Sequence, residues 1–215
     1  MVLIGWSPFC HPMNDNTYVY ESPERLVNDI FIKQILDPKI SFGNWMNNPR
    51  WEVSDFSGLF YGKLKKEALK YILLQKKLDQ FDYKIKDAVI PEQYMLTHRC
   101  HPLTGFTVKP ASVNVKYQYI SDKDVVASVH YKLPATSKTD RKFDDSIIIV
   151  SLEKIDNKWM ISHIRYDNLT MIKFLKIKQK WIKEALRAIN SNKEEDLIKR
   201  YYERYPNPEN IPNLE

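Results

Sequence analysis

Cysteine and histidine meet at two places in this chain, Cys10-His11 and His98-Arg99-Cys100-His101. Thiolate and imidazole are the ligands of a tetrahedral zinc site. His98 and His101 stand too close for the usual finger spacing, however, and with 2 cysteines in all there is no second Cys pair. A disulfide between Cys10 and Cys100, or two separate thiols in solvated loops, explains the same residues without a metal. No metal and no cofactor are therefore expected. A bridge would tie the amino-terminal arm to the middle of the chain and would suit an oxidising compartment.

A second set of side chains could line a pocket. Tyr83, Tyr94, Tyr117, Tyr119, Tyr131 and His163 are the inward-facing candidates, and alternation places His163 on one strand face with Trp159 and Ile161. A histidine in an apolar cavity can act as a base; a hydrogen-bonded core histidine is the plainer alternative. Asp122, Asp124, Asp144, Asp145 and Asp156 all read as turn residues, which leaves no inward carboxylate to partner it. Catalysis is not expected.

The third set is a basic row, Lys173, Lys176, Lys178, Lys180, Lys183 and Arg187, against the single acid Glu184. Positions 173, 176, 180, 183 and 187 recur at helical spacing and form one continuous stripe, with Tyr201, Tyr202 and Tyr205 beyond it as aromatic anchors. Such a stripe is either a solvated helix face or a contact surface for an acidic partner. Other chemistries lack their motifs. No Gly-rich phosphate loop and no Gly-x-Ser-x-Gly elbow occurs, and Gly totals 5. The net charge of +6 comes from 33 basic residues interleaved with 27 acidic ones, so nucleic acid is an unlikely partner.

These residues need a scaffold, and the pattern around them implies one. Ser22-Pro23-Glu24 is a helix start: a capping hydroxyl, proline in the first turn, then an acid. Leu26, Val27, Ile30, Phe31 and Ile35 follow at helical spacing. A second helix is predicted over about 55–78, its apolar stripe widened by Leu69, Leu73, Leu74 and Leu78. A short helix is expected from Pro91. Four antiparallel strands come next, within 111–166, ending in a hairpin at Asp156-Asn157. Ile147–Leu152 is apolar on both faces, as a strand covered on each side would be. The charged segment Pro134–Asp145 reads as a long loop. A helix is predicted from Thr170 to about Ser191, and a shorter one over Lys193–Arg204. The fold class is thus α+β: amino-terminal helices on a curved four-stranded antiparallel sheet, with an additional carboxy-terminal helix. The divisions are an arm over 1–19, an α+β cone over 20–168, a helical extension over 169–205 and a proline-containing tail over 206–215.

The order of helices, then hairpin-rich sheet, then a final strand Asp156-Asn157-Lys158-Trp159-Met160-Ile161-Ser162 resembles the nuclear-transport-factor-2-like (cystatin-like cone) superfamily. In particular it looks like exported bacterial members of unassigned function. The resemblance covers about 20–168; the helix from Thr170 runs past the usual end. It implies a cone that serves isomerases and dehydratases in some members and non-catalytic binding, assembly and inhibitor domains in others, so the fold does not choose the function.

The expected function is a non-enzymatic protein-binding module, one version being a bacterial immunity or inhibitor protein that blocks a toxin. The alternatives are a small-molecule-binding or isomerase-like cone enzyme and an assembly component of a cell-envelope machine. The expected partner is a protein with an acidic surface. No segment reaches the ~20 apolar residues of a membrane span. The apolar start Met1–Trp6 and the cysteine pair favour a periplasmic or exported location over a cytoplasmic one.

Overall fold

The computed structural model describes residues 19–36, 53–91, 94, 103–104, 109–134, 143–166 and 169–206. The first helix, α1, opens at Pro23–Val27, where the Ser22 hydroxyl accepts a hydrogen bond from the Arg25 amide at 3.2 Å. It continues through a π-helical turn, Asn28–Lys33, into Gln34–Leu36. Leu26, Val27, Ile30, Phe31 and Ile35 are all buried, as their spacing requires.

The helix predicted over 55–78 is divided. A short α2 (Val53–Phe56) runs into a 3-10 turn (Ser57–Leu59), the chain extends at Phe60, and α3 occupies Gly62–Leu78. The cause is tertiary. The Tyr61 amide donates to the Ile161 carbonyl at 2.9 Å, pinning this segment to the sheet, and Gly62 takes φ +56 to re-enter a helix. That left-handed backbone is available to glycine at little cost. Leu69 and Leu73, expected within the buried stripe, are instead 45% and 62% exposed. The apolar face of α3 is narrower, formed by Leu64, Ala68, Tyr71 and Leu78.

After α4 (Tyr83–Val89) come β1 (Ser112–Tyr119), β2 (Asp124–Pro134), β3 (Phe143–Ile155), β4 (Lys158–Tyr166) and a two-residue β5 (Leu169–Thr170). They form one antiparallel sheet in the order β1-β2-β3-β4-β5, five strands where the sequence predicts four. The β3–β4 hairpin turns at Asp156 and Asn157 with φ 49 and 63, the tight geometry these residue types favour. Asp124 and Asp145, read as turn residues, lie in strands with exposed side chains, and Asp144 is also within β3.

One sheet face carries Val125, Ala127, Val129, Tyr131, Ile148, Val150, Leu152, Trp159, Ile161 and Ile164, all buried under the helices. The opposite face is more open among the described residues: Ile147 is 38% exposed and Ile149 half-buried, so β3 is not sealed on both sides as its apolar run suggests. The Trp159 amide donates to the Tyr20 carbonyl at 2.9 Å. With Tyr61 and β5, this contact occupies the edge of β4 that would otherwise invite pairing.

The chain closes with α5 (Met171–Ser191) and α6 (Glu194–Arg204). Thr170 caps α5, its hydroxyl accepting from the Lys173 amide at 3.2 Å. Met171, Leu175, Ile182, Ala185 and Leu197 belong to the same core as the sheet, so these helices are integral to the body. The protein is α+β. Cys10, His11, His98, Cys100 and His101, the interior of the Pro134–Asp145 loop and the tail beyond Pro206 lie outside the described residues.

Candidate functional site: a basic groove between two helices

α3 and α5 pack side by side, and the crossing is fastened by a polar contact rather than a methyl group. Glu67 follows Leu64 by three residues and precedes Tyr71 by four, so helical spacing sends its carboxylate to the packed face. Gln179 occupies the matching place on α5, between Leu175 and Ile182. Both side chains are buried. The Gln179 amide donates to the Glu67 backbone carbonyl at 3.0 Å and to its carboxylate at 3.2 Å, while the Lys70 ammonium bonds that carboxylate at 2.9 Å. The Lys70 bond holds the Glu67 carboxyl below its ordinary range, with help from Gln179 and the charge of Lys176, against the opposing effect of burial.

Above this floor lies an open groove of about 430 Å³. Glu67 and Lys70 form one wall; Lys176, Gln179, Lys180, Lys183, Glu184 and Arg187 form the other. Lys180 approaches Glu184 at 3.9 Å, with both side chains at least half exposed, an ion pair of little energetic consequence. Among the described residues, Lys176, Lys183 and Arg187 have no carboxylate within 4.0 Å. Five cations against two carboxylates leave the groove positive.

Four members of the predicted basic stripe thus share this groove. Lys173 is exposed in the first turn of α5 and does not line it. Lys178, grouped with the basic row on sequence, is 5% exposed. Its ammonium sits 4.8 Å from the Phe174 ring centre, 5.5 Å from that of Tyr94 and 5.8 Å from that of Tyr71. Aromatic faces attract a cation at such distances. Glu67, Lys70 and Gln179 were not singled out by sequence reasoning. The available signal was a carboxylate and an amide at core-facing helix positions.

The tyrosine candidates disperse. Tyr131 is buried and its hydroxyl donates to the Phe31 carbonyl at 2.8 Å, joining β2 to α1. Tyr117 is half-buried on β1, and burial pushes its hydroxyl up to about 12. Tyr119, at the strand end, is 59% exposed. Tyr94 is buried beside α5, edge-on to Trp181 at 6.1 Å, and its hydroxyl donates to the Gln75 side chain. Tyr83, 46% exposed on α4, packs edge-on to Tyr201 at 5.8 Å.

His163 is not on the face of Trp159 and Ile161. The β3–β4 register shifts between Ser151 and Leu152, so Leu152 pairs Ile161 while Ser151 pairs His163. One extra residue on β4 reverses the alternation. His163 therefore stands on the outer face, and Ile164 takes the inward position.

Of the proposed aromatic anchors, Tyr201 is 2% exposed and serves packing; Tyr202 keeps 42% exposure and accepts a 2.8 Å hydrogen bond from the Lys84 ammonium. Arg204 donates to the Asp87 carbonyl at 2.6 Å and lies 3.7 Å from its carboxylate, fastening α6 to α4. Burial raises the Asp87 carboxyl, a shift opposed by a Tyr205 hydrogen bond and the Arg204 charge. No group of three or more His, Cys, Asp or Glu is arranged to hold a metal among the described residues, and none of their helices is long and apolar enough to cross a membrane.

No protein-family model, no curated protein and no solved structure matches this chain.

Proposed function

We propose that the chain is a non-enzymatic protein-binding module that receives an acidic surface of another protein in the α3–α5 groove. The observation that carries this function is the wall of Lys176, Lys180, Lys183 and Arg187 facing Lys70, three of whose cations have no carboxylate within 4.0 Å among the described residues. Cations lining a concavity over low-dielectric protein focus a positive potential and speed the arrival of an anionic partner. The resemblance to the cone superfamily, which includes inhibitor domains, supports a concrete version. In it the protein is a bacterial immunity or inhibitor protein whose basic wall covers the acidic active-site region of a toxin.

The test is a Lys176→Glu, Lys183→Glu, Arg187→Glu triple variant. These positions are exposed, so its circular dichroism and melting temperature should match wild type. Wild type should retain a stoichiometric acidic protein from native lysate, released by salt, and the variant should bind it at least about tenfold more weakly. Equal retention by both proteins removes the proposal.

A further inference from the structure

The two edges of the sheet are finished differently. β5, the Tyr20 carbonyl and the Tyr61 amide occupy the outer side of β4. β1 ends the sheet at the other side and pairs with β2 alone. The Ile120 amide donates to the Asp124 carbonyl at 2.9 Å, which fixes the phase of that pairing. Even-numbered residues of β1 bond to β2, so Val113, Val115, Tyr117 and Tyr119 aim their amides and carbonyls away from it. The row stops at Ala111, whose amide turns inward to the Lys132 carbonyl at 2.7 Å. Among the described residues, no backbone hydrogen bond fills the open row. The side chains of Val113, Val115 and Tyr117 pack against the core yet stay half-buried, while Ser112, Asn114, Lys116 and Gln118 are exposed. Unpaired backbone groups beside an unfinished apolar strip are a template for another strand.

The strand's own sequence fits that place. Two copies of β1, antiparallel about a two-fold axis at Val115, set Val115 against its mate and Val113 against Tyr117. On the other face Asn114 meets Lys116 and Ser112 meets Gln118. Apolar side chains lie opposite apolar ones, polar opposite polar, and no like charges face each other. The positions 113, 115 and 117 then exchange about six backbone hydrogen bonds. Other axes do worse. An axis at Lys116 sets two ammonium side chains opposite each other, on Cα atoms about 4.5 Å apart. An axis at Tyr117 sets Asn114 against Ile120 and carries the overlap into the turn at Ser121. An axis at Asn114 reaches Ala111, whose amide is already taken. Lys116, the one charged residue of β1, thus selects the register.

We propose that the β1 edge is a self-recognition surface, at which two copies of the chain join β1 to β1 about Val115 and continue one antiparallel sheet across the axis. The helices of the basic groove pack on β4, toward the other edge, so the groove stays open in the pair. One strand from each copy buries less than the roughly 1,200 Å² of a stable complex, so the dimer is a weak one. A dissociation constant on the order of 10–100 μM is expected.

Sedimentation equilibrium on the full chain, up to about 300 μM, should follow a monomer–dimer curve in that range. Asn114→Lys sets an ammonium opposite Lys116 twice across the axis and should weaken the dimer about tenfold. Adding Lys116→Glu to it should restore pairing, because the two exposed positions then carry opposite charges. Val115→Pro removes the amide at the axis, which an edge strand tolerates, and should give a folded monomer. Hydrogen exchange at the Val113, Val115 and Tyr117 amides should slow as protein concentration rises. A monomer throughout the range overturns the proposal. So does a dimer indifferent to Asn114→Lys, or amides protected equally at every concentration, which would mean that a segment of the same chain covers the edge. None of these results touches the acidic-partner reading, whose variants lie on α5.

Discussion

Replacing Gln179 by leucine should cost about 2 kcal/mol at neutral pH and recover under acid, because the amide works mainly on a charged neighbour. The amide makes two bonds, at 3.2 Å to the Glu67 carboxylate and at 3.0 Å to its backbone carbonyl. A hydrogen bond to a buried charge contributes about 1.5 kcal/mol or more, and one to a carbonyl already inside a helix about 0.5 kcal/mol. Leucine fills the space but satisfies neither acceptor. For a chain of this length the deficit corresponds to a melting temperature lower by roughly 4–8 °C. The pH dependence has a definite sign. The Lys70 bond, then Gln179, hold the Glu67 carboxyl below its ordinary 4.5, and such a depressed acid stabilises the fold fully above 4.5. That contribution is lost as pH falls through the folded-state value. The leucine variant should therefore show its full deficit at pH 7, shrinking below about pH 4.5 as the carboxylate of both proteins is neutralised. Urea unfolding of the two proteins at pH 7 and near pH 3 measures this. A deficit under about 0.5 kcal/mol at pH 7, or one equal at both pH values, would refute the assignment of the crossing to a charge-assisted bond.

Two further outcomes follow from the same geometry. Burial holds the Asp87 carboxyl above its ordinary 3.8, so its contribution to stability is greatest below 3.8 and declines as pH rises through the folded value. Asp87→Asn, which imitates the neutral acid, should be no less stable than wild type at pH 7; a loss above about 1 kcal/mol in urea unfolding would show that the Arg204 pairing dominates instead. Gly62→Ala should lose about 1 kcal/mol, because φ is +56 there and a methyl would meet no atom within 4 Å, leaving backbone strain as the whole cost. Gly58→Ala, also in open space but without the positive φ, is the control and should be neutral in thermal melts.

Much of this protein was legible from local pattern. The Ser22 cap, the Asp156-Asn157 turn, the alternation of β1 and β2, and the basic stripe of α5 are each decided by residues within one or two turns of chain. Helical and strand periods, capping and turn preference act at that range and persist in the fold, with Tyr119 at the end of β1 exposed. What packing decided is different in kind. The division at Phe60–Gly62 arose because a distant carbonyl, that of Ile161, offered the chain a partner. The β3–β4 bulge sent His163 outward by adding one residue, a change that leaves no mark in a pattern of alternating side chains. Lys178 left its basic row for three aromatic rings drawn from two helices and the segment at Tyr94, and Leu69 and Leu73 left the buried stripe because α3 presents a narrower face to the core. The groove itself belongs to this second group. One wall is written in α5, but its floor and its opposite lysine exist only where α3 crosses, and a crossing is set by the shapes of two surfaces more than 100 residues apart.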